Sequence, residues 1–170
     1  MNKKSIYLFS ALLLPALVFV FLKLFGKNEF AIPVYYENGI DSVSASCGGD
    51  YASPYVLPDS VLKVIGVPAR PASVIAVELS ETAETELNRL AETFISTEYS
   101  QRTISRSAGS PTRISDARVS RWITCVFFLK KPYNVVLADE KNRIRGYYAI
   151  DSREEMDRLI LEMQILLKKY

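Results

Sequence analysis

The segment that most restricts this chain is Ser5–Leu22, SIYLFSALLLPALVFVFL, eighteen residues without a charge. As a helix it rises about 27 Å, and Lys23–Gly26 bring it close to the ~30 Å of a bilayer core. Lys23 can snorkel its ammonium outward. Pro15 would cost about 3 kcal/mol inside a soluble helix and is better tolerated in lipid, where neighbouring groups satisfy the freed carbonyl. A cleaved signal peptide needs small residues just before its cut, and the following LKLFGKNEFAIP offers no such pair. No cysteine precedes Cys47, which excludes a lipoprotein. The expectation is an uncleaved single-pass transmembrane anchor, with residues 1–27 as cytoplasmic stub and helix. Lys3 and Lys4 before the run, against diluted charge after it, favour an exported domain. Disulfides persist in such a compartment.

The whole chain has 170 residues and a net charge of +2, enough for one ordinary domain beyond the apolar run. From Asn28 onward there are 17 basic and 19 acidic residues, a net −2. The high isoelectric point therefore comes from the flanks of one segment and is no argument for nucleic acid. At 49% hydrophobic and 24% charged, the chain is neither disordered nor fibrous. It contains no histidine and two cysteines, which removes His-based catalytic dyads and most transition-metal sites.

Residues 28–71 read as a Pro/Gly-rich juxtamembrane approach, with short extended pieces at Ile32–Tyr36 and Tyr55–Leu57 and a helical turn at Asp59–Ile65. Residues 72–170 read as the folded domain. Ser73–Leu79 is a short apolar, β-branched run, the pattern of a buried strand. Ser80 is its successor as an N-cap, with Glu81 and Glu84 favourable at the positive helix end. Ala83, Leu87, Leu90, Ala91 and Phe94 recur at helical spacing, so an amphipathic helix is expected over 81–97.

Glu98–Arg121 carries Arg102, Arg106, Arg113, Arg118 and Arg121 and reads as a solvated loop with an edge strand at Arg102–Ser105 and a short helix from Asp116. An anion-binding patch is the sharper alternative, but no Gly-rich cradle accompanies it. No aromatic interleaves the arginines before Trp122, which argues against single-stranded nucleic acid. Asn134–Ala138, a turn at Asp139–Asn142, and Arg143–Tyr148 make a hairpin, its tyrosines, like Tyr133, fitting alternating sheet positions. Ser152 and Glu155 form a capping box. Met156, Leu159, Ile160, Met163, Leu166 and Leu167 then line one stripe of a closing helix.

The tail Val135-Val-Leu-Ala-Asp139, Arg143-Ile-Arg-Gly-Tyr-Tyr148 and Glu155-Met-Asp-Arg-Leu-Ile160 resembles the carboxyl-terminal part of the Sco/SenC family, over about 35 residues. Those are membrane-anchored thioredoxin-like proteins that assist copper delivery to cytochrome oxidase. The resemblance implies an α/β, thioredoxin-like fold, a central mixed sheet flanked by helices, preceded by one transmembrane helix. It also implies a bacterial inner-membrane location with the domain on the periplasmic side, a cis-proline at Lys131-Pro132, and an assembly role near the respiratory chain.

The family is known for a Cys-x-x-x-Cys pair at its first helix and a distant histidine that hold copper. Here the corresponding loop reads Ser80-Glu-Thr-Ala-Glu-Thr-Glu86, and the spacing back from Asp139 lands on Lys131. No catalytic residue, cofactor or metal ligand is therefore assigned. Cys47 and Cys125 remain, with three readings open: a structural disulfide closing a 78-residue span, two unpaired thiols, or a redox-active or metal-binding pair. The expected function is a non-catalytic binding or assembly module with an unidentified protein partner and no nucleic acid. The alternatives are a thiol–disulfide oxidoreductase or a copper chaperone using Cys47 and Cys125.

Overall fold

The computed structural model describes residues 3–25, 31–40, 47–49, 51–105 and 114–168. They belong to two compact units, Met1–Phe30 and Ala31–Tyr170.

In the first unit, helix α1 spans Lys3–Phe25, with Pro15 inside it. Among the described residues, no helix is long and apolar enough to cross a membrane. This corrects the expectation of a single-pass transmembrane anchor, and with it the inner-membrane, periplasmic-side location.

The second unit is α/β, a four-stranded mixed sheet flanked by helices. Along the chain come α2 (Asp59–Ile65), β1 (Ala72–Val77), α3 (Glu81–Thr93), β2 (Tyr99–Ile104), α4 (Asp116–Cys125), β3 (Val135–Asp139), β4 (Ile144–Tyr148) and α5 (Arg153–Leu166). The sheet order is β2-β1-β3-β4. β1 runs parallel to β2 and antiparallel to β3, which pairs antiparallel with β4. All six residues of β1 are buried, as a strand covered on both faces requires.

Period-two alternation divides the core between those faces. Ala72, Val74, Ala76, Val135, Leu137 and Tyr148 face α3 and α5, meeting Leu87, Leu90, Met156, Leu159 and Met163. Ile75, Val77, Val136, Ala138 and Tyr147 face the other way, toward Trp122, Phe127 and Phe128. The segment preceding β1 fills much of this second layer with Tyr55, Leu57, Val61, Leu62 and Ile65. Each such aliphatic side chain contributes roughly 2 kcal/mol by burial. From Ala31 the Pro/Gly-rich stretch is thus built into the domain. It also runs beside the outer strand: Tyr35 N–H donates to the Ile144 carbonyl at 2.9 Å and Leu57 N–H to Asn142 at 2.9 Å. An otherwise open strand edge is partly covered in this way.

α2 ends at Gly66, whose φ of 70° lets its N–H reach the Leu62 and Lys63 carbonyls, the left-handed cap that glycine adopts without a Cβ penalty. α3 begins as expected: the Ser80 hydroxyl accepts from Ala83 N–H at 3.1 Å. It stops at Thr93 rather than Thr97, because Phe94 turns extended (φ −121°, ψ 146°) and packs into the core. The expected capping box on α5 does not form. Ser152 occupies the N-cap without a side-chain bond, and Glu155 turns instead to Arg158 at 3.0 Å.

The hairpin turn is organised by Asp139, 3% exposed. Its Oδ1 accepts from the N–H groups of Lys141 (2.9 Å) and Arg143 (3.0 Å). Its Oδ2 meets Arg143 at 2.7 Å and Arg145 at 3.2 Å. Burial pushes this carboxyl up, but the hydrogen bonds and charge of Arg143 outweigh that and hold it below its ordinary value. Arg145 also donates to the Ile32 carbonyl at 2.5 Å, tying the turn to the start of the domain.

Candidate functional site

Two clefts concentrate the side chains that carry chemistry. The smaller, about 270 Å³, lies where β1 ends, between Val77, Glu78, the Lys131–Tyr133 stretch, Asn134 and Asp151. The Lys131–Pro132 peptide is cis there, as is Ser53–Pro54 elsewhere. Beside this cleft, Ser80 Oγ donates to Asp151 Oδ1 at 2.5 Å, and Asn134 Nδ2 donates to Asp151 Oδ2 at 2.7 Å. Asn134 Oδ1 in turn accepts from Ile150 N–H at 3.0 Å. The serine hydroxyl is therefore shared between a helix cap and a carboxylate. With no histidine in the chain, the serine lacks the imidazole that activates a hydroxyl nucleophile in a serine triad. The arrangement latches the start of α3 to the turn before α5.

A copper ion would find a poor donor set here. Ser80–Glu86 and the exposed Lys131, the positions at which the Sco/SenC resemblance would place copper ligands, offer hydroxyl, carboxylate and ammonium groups. Copper prefers thiolate and imidazole, so these residues do not fit it. Among the described residues, no group of three or more His, Cys, Asp or Glu side chains could hold a metal ion.

The larger cleft, about 700 Å³, lies between residues 47–58 and α4. Cys47 and Cys125 meet there in a disulfide, with Cα atoms 5.3 Å apart and the two residues 78 positions apart in sequence. The bond sets aside the reading of two unpaired thiols, and the two cysteines are largely enclosed, at 4% and 8% residue exposure. A crosslink of that span stabilises by about 4 kcal/mol in the chain-entropy model.

Tyrosines reinforce the same junction. Tyr51 donates to the Cys125 carbonyl at 3.0 Å, Tyr55 to Val126 at 2.8 Å, and Tyr147 to Phe127 at 2.8 Å. Carbonyls at and just past the end of a helix lack intrahelical partners, and these three phenols supply them from other parts of the chain. Tyr36, Tyr51, Tyr55 and Phe128 pack edge to face, with centroids 5.0–6.2 Å apart, a geometry that adds to simple burial. Burial raises the Tyr55 and Tyr147 phenols above their ordinary value, and neighbouring tyrosines push the same way. The tyrosines' role escapes a sequence reading based on strand alternation, although ten tyrosines in 170 residues hint at aromatic packing.

The arginine-rich stretch divides by environment. Arg102 donates to the Gly66 carbonyl at 2.7 Å and to its neighbour Gln101 at 2.8 Å, a structural use. Arg106 and Arg113 lie outside the described residues. Arg118 and Arg121 stand exposed on α4 at the larger cleft, both preceding Trp122 in sequence. Neither makes an ion pair among the described residues.

No family model matches this chain, and no curated protein or solved structure matches it either.

Proposed function

We propose that the Ala31–Tyr170 unit is a Sco-related, thioredoxin-like module that binds or assembles partners without catalysis. Its partners would be drawn from respiratory-chain or thiol-redox assembly, as the resemblance of the hairpin and closing helix implies. The observation that carries this reading is how both cysteines are used. They form one enclosed disulfide between residue 47 and the end of α4, while the loop after β1 holds a capping serine bonded to Asp151. Thiol exchange needs an accessible sulfur and a stabilised thiolate, and copper transfer needs soft ligands free to bind. The pairing β1–β2 parallel, β1–β3 and β3–β4 antiparallel, with α3 between β1 and β2 and α4 between β2 and β3, is compatible with the resemblance.

One observation favours a second reading, a thiol–disulfide oxidoreductase: both cysteines line the larger cleft. An insulin-reduction assay separates the two. The binding reading expects no turnover above background, with the Cys47→Ser/Cys125→Ser protein indistinguishable from the parent. Turnover that disappears in the double variant makes the protein an oxidoreductase. Stoichiometric copper binding that survives Cys47→Ser would contradict both readings.

A further inference from the structure

The larger cleft has features that neither its disulfide nor its tyrosine hydrogen bonds explain. One wall is α4, presenting Trp122, 9% exposed, with Arg118 and Arg121. The opposite wall is the 47–58 segment, with Tyr51, Pro54 and Val56. Its lining is mostly apolar, and Val56 is itself an exposed large hydrophobic. An apolar cleft with a few polar groups at its margin is the usual form of a binding site. Here those groups are two cations one helical turn apart, neither neutralised by an acidic side chain among the described residues.

We infer that this cleft receives an extended acidic segment of a partner protein, whose carboxylates meet Arg118 and Arg121 while an apolar side chain enters beside Trp122. The inference rests on the reading of the domain as a binding module and names the surface and the chemistry of the partner. Arginine matches carboxylates through paired N–H donors. Tryptophan, tyrosine and arginine are the residues most often dominant at interface centres. Two cations beside a mostly apolar lining match a short segment that alternates carboxylates with apolar side chains, whereas nucleic-acid binding draws on many phosphate contacts. The disulfide joins the two walls at one end, so the cleft is held open before a partner arrives, and less ordering is needed on binding.

The chain has one tryptophan, so emission from Trp122 reports occupancy without a label. The intact chain is titrated with capped octapeptides alternating glutamate with leucine or phenylalanine, and with glutamine and lysine counterparts. The glutamate peptides are expected to shift the emission saturably, and the glutamine and lysine peptides to bind about tenfold more weakly or not at all. Arg118→Ala with Arg121→Ala should weaken the glutamate peptides by about tenfold. Arg118→Lys with Arg121→Lys should recover part of that loss and raise the salt sensitivity of binding. Equal binding of glutamine and glutamate peptides, an unchanged affinity in the alanine pair, or displacement of the peptide by a short oligonucleotide would overturn the inference. Insulin turnover, in contrast, would overturn the binding-module reading itself, so the two failures are distinguishable.

Discussion

The cleft at the end of β1 and the cleft at the disulfide differ in how their polar groups are used. At the end of β1, the polar groups of Ser80, Asn134 and Asp151 answer one another within 3.0 Å, which leaves little there to recognise a ligand. At the disulfide cleft, the backbone carbonyls are answered by tyrosines, but the exposed Arg118 and Arg121 on α4 make no ion pair among the described residues. One cleft is closed by its own polar side chains, whereas the other is built where two segments distant in sequence are joined by a disulfide.

The largest expected effect tests whether the disulfide side depends on its crosslink. Cys47→Ser/Cys125→Ser should lower the unfolding free energy by about 4 kcal/mol, measured by urea denaturation. A loss below about 1 kcal/mol would mean that the tyrosines alone hold the junction. Next in size, Tyr55→Phe leaves the Val126 carbonyl without its phenol and should destabilise by about 1–3 kcal/mol. An additive effect with the double serine variant would show that hydrogen bond and crosslink act independently. Ser80→Ala removes a helix cap on the opposite cleft and should destabilise by about 1 kcal/mol, with peptide binding at Trp122 unchanged. A change in that binding would couple the two clefts and break the contrast drawn here.

The tyrosine side also predicts an asymmetric pH response. The Tyr55 and Tyr147 phenols are raised by burial, so their contribution is complete below the ordinary tyrosine value near 10 and is lost as pH rises above it. Asp139 acts in the opposite direction. Its carboxyl is held down mainly by Arg143 against the effect of burial, so its contribution is present above about pH 4 and is lost as pH falls toward the lower folded-state value. Unfolding midpoints across pH should therefore decline at both ends. In Tyr55→Phe the alkaline decline should be shallower.

What could be read from the sequence was whatever local periodicity controls. The apolar run that became β1, the hairpin around Asp139 and the stripe Met156–Met163 follow from alternation or helical spacing over a few residues. The 31–71 segment did not disclose its part in the core, because Tyr55, Leu57, Val61 and Ile65 are separated by turn formers and share no single period across the segment. The Ser152–Glu155 box failed because the carboxylate had a competitor three residues away in Arg158. The Tyr51 and Tyr55 hydrogen bonds span more than seventy residues, beyond any local signal. The disulfide was one of three open readings, since spacing alone does not fix a partner. The resemblance implies thiol and copper chemistry at the loop after β1, whereas the larger cleft is lined by Cys47, Tyr51, Val56 and α4.

In a binding module the sulfurs of Cys47 and Cys125 join two walls instead of exchanging electrons with a substrate. A redox titration of the intact chain in glutathione and dithiothreitol buffers, followed by Trp122 emission, tests this most directly. The predicted result is a potential below about −300 mV, with reduction perturbing the cleft around the tryptophan. A potential near −200 mV, with emission and stability unaltered on reduction, would contradict it.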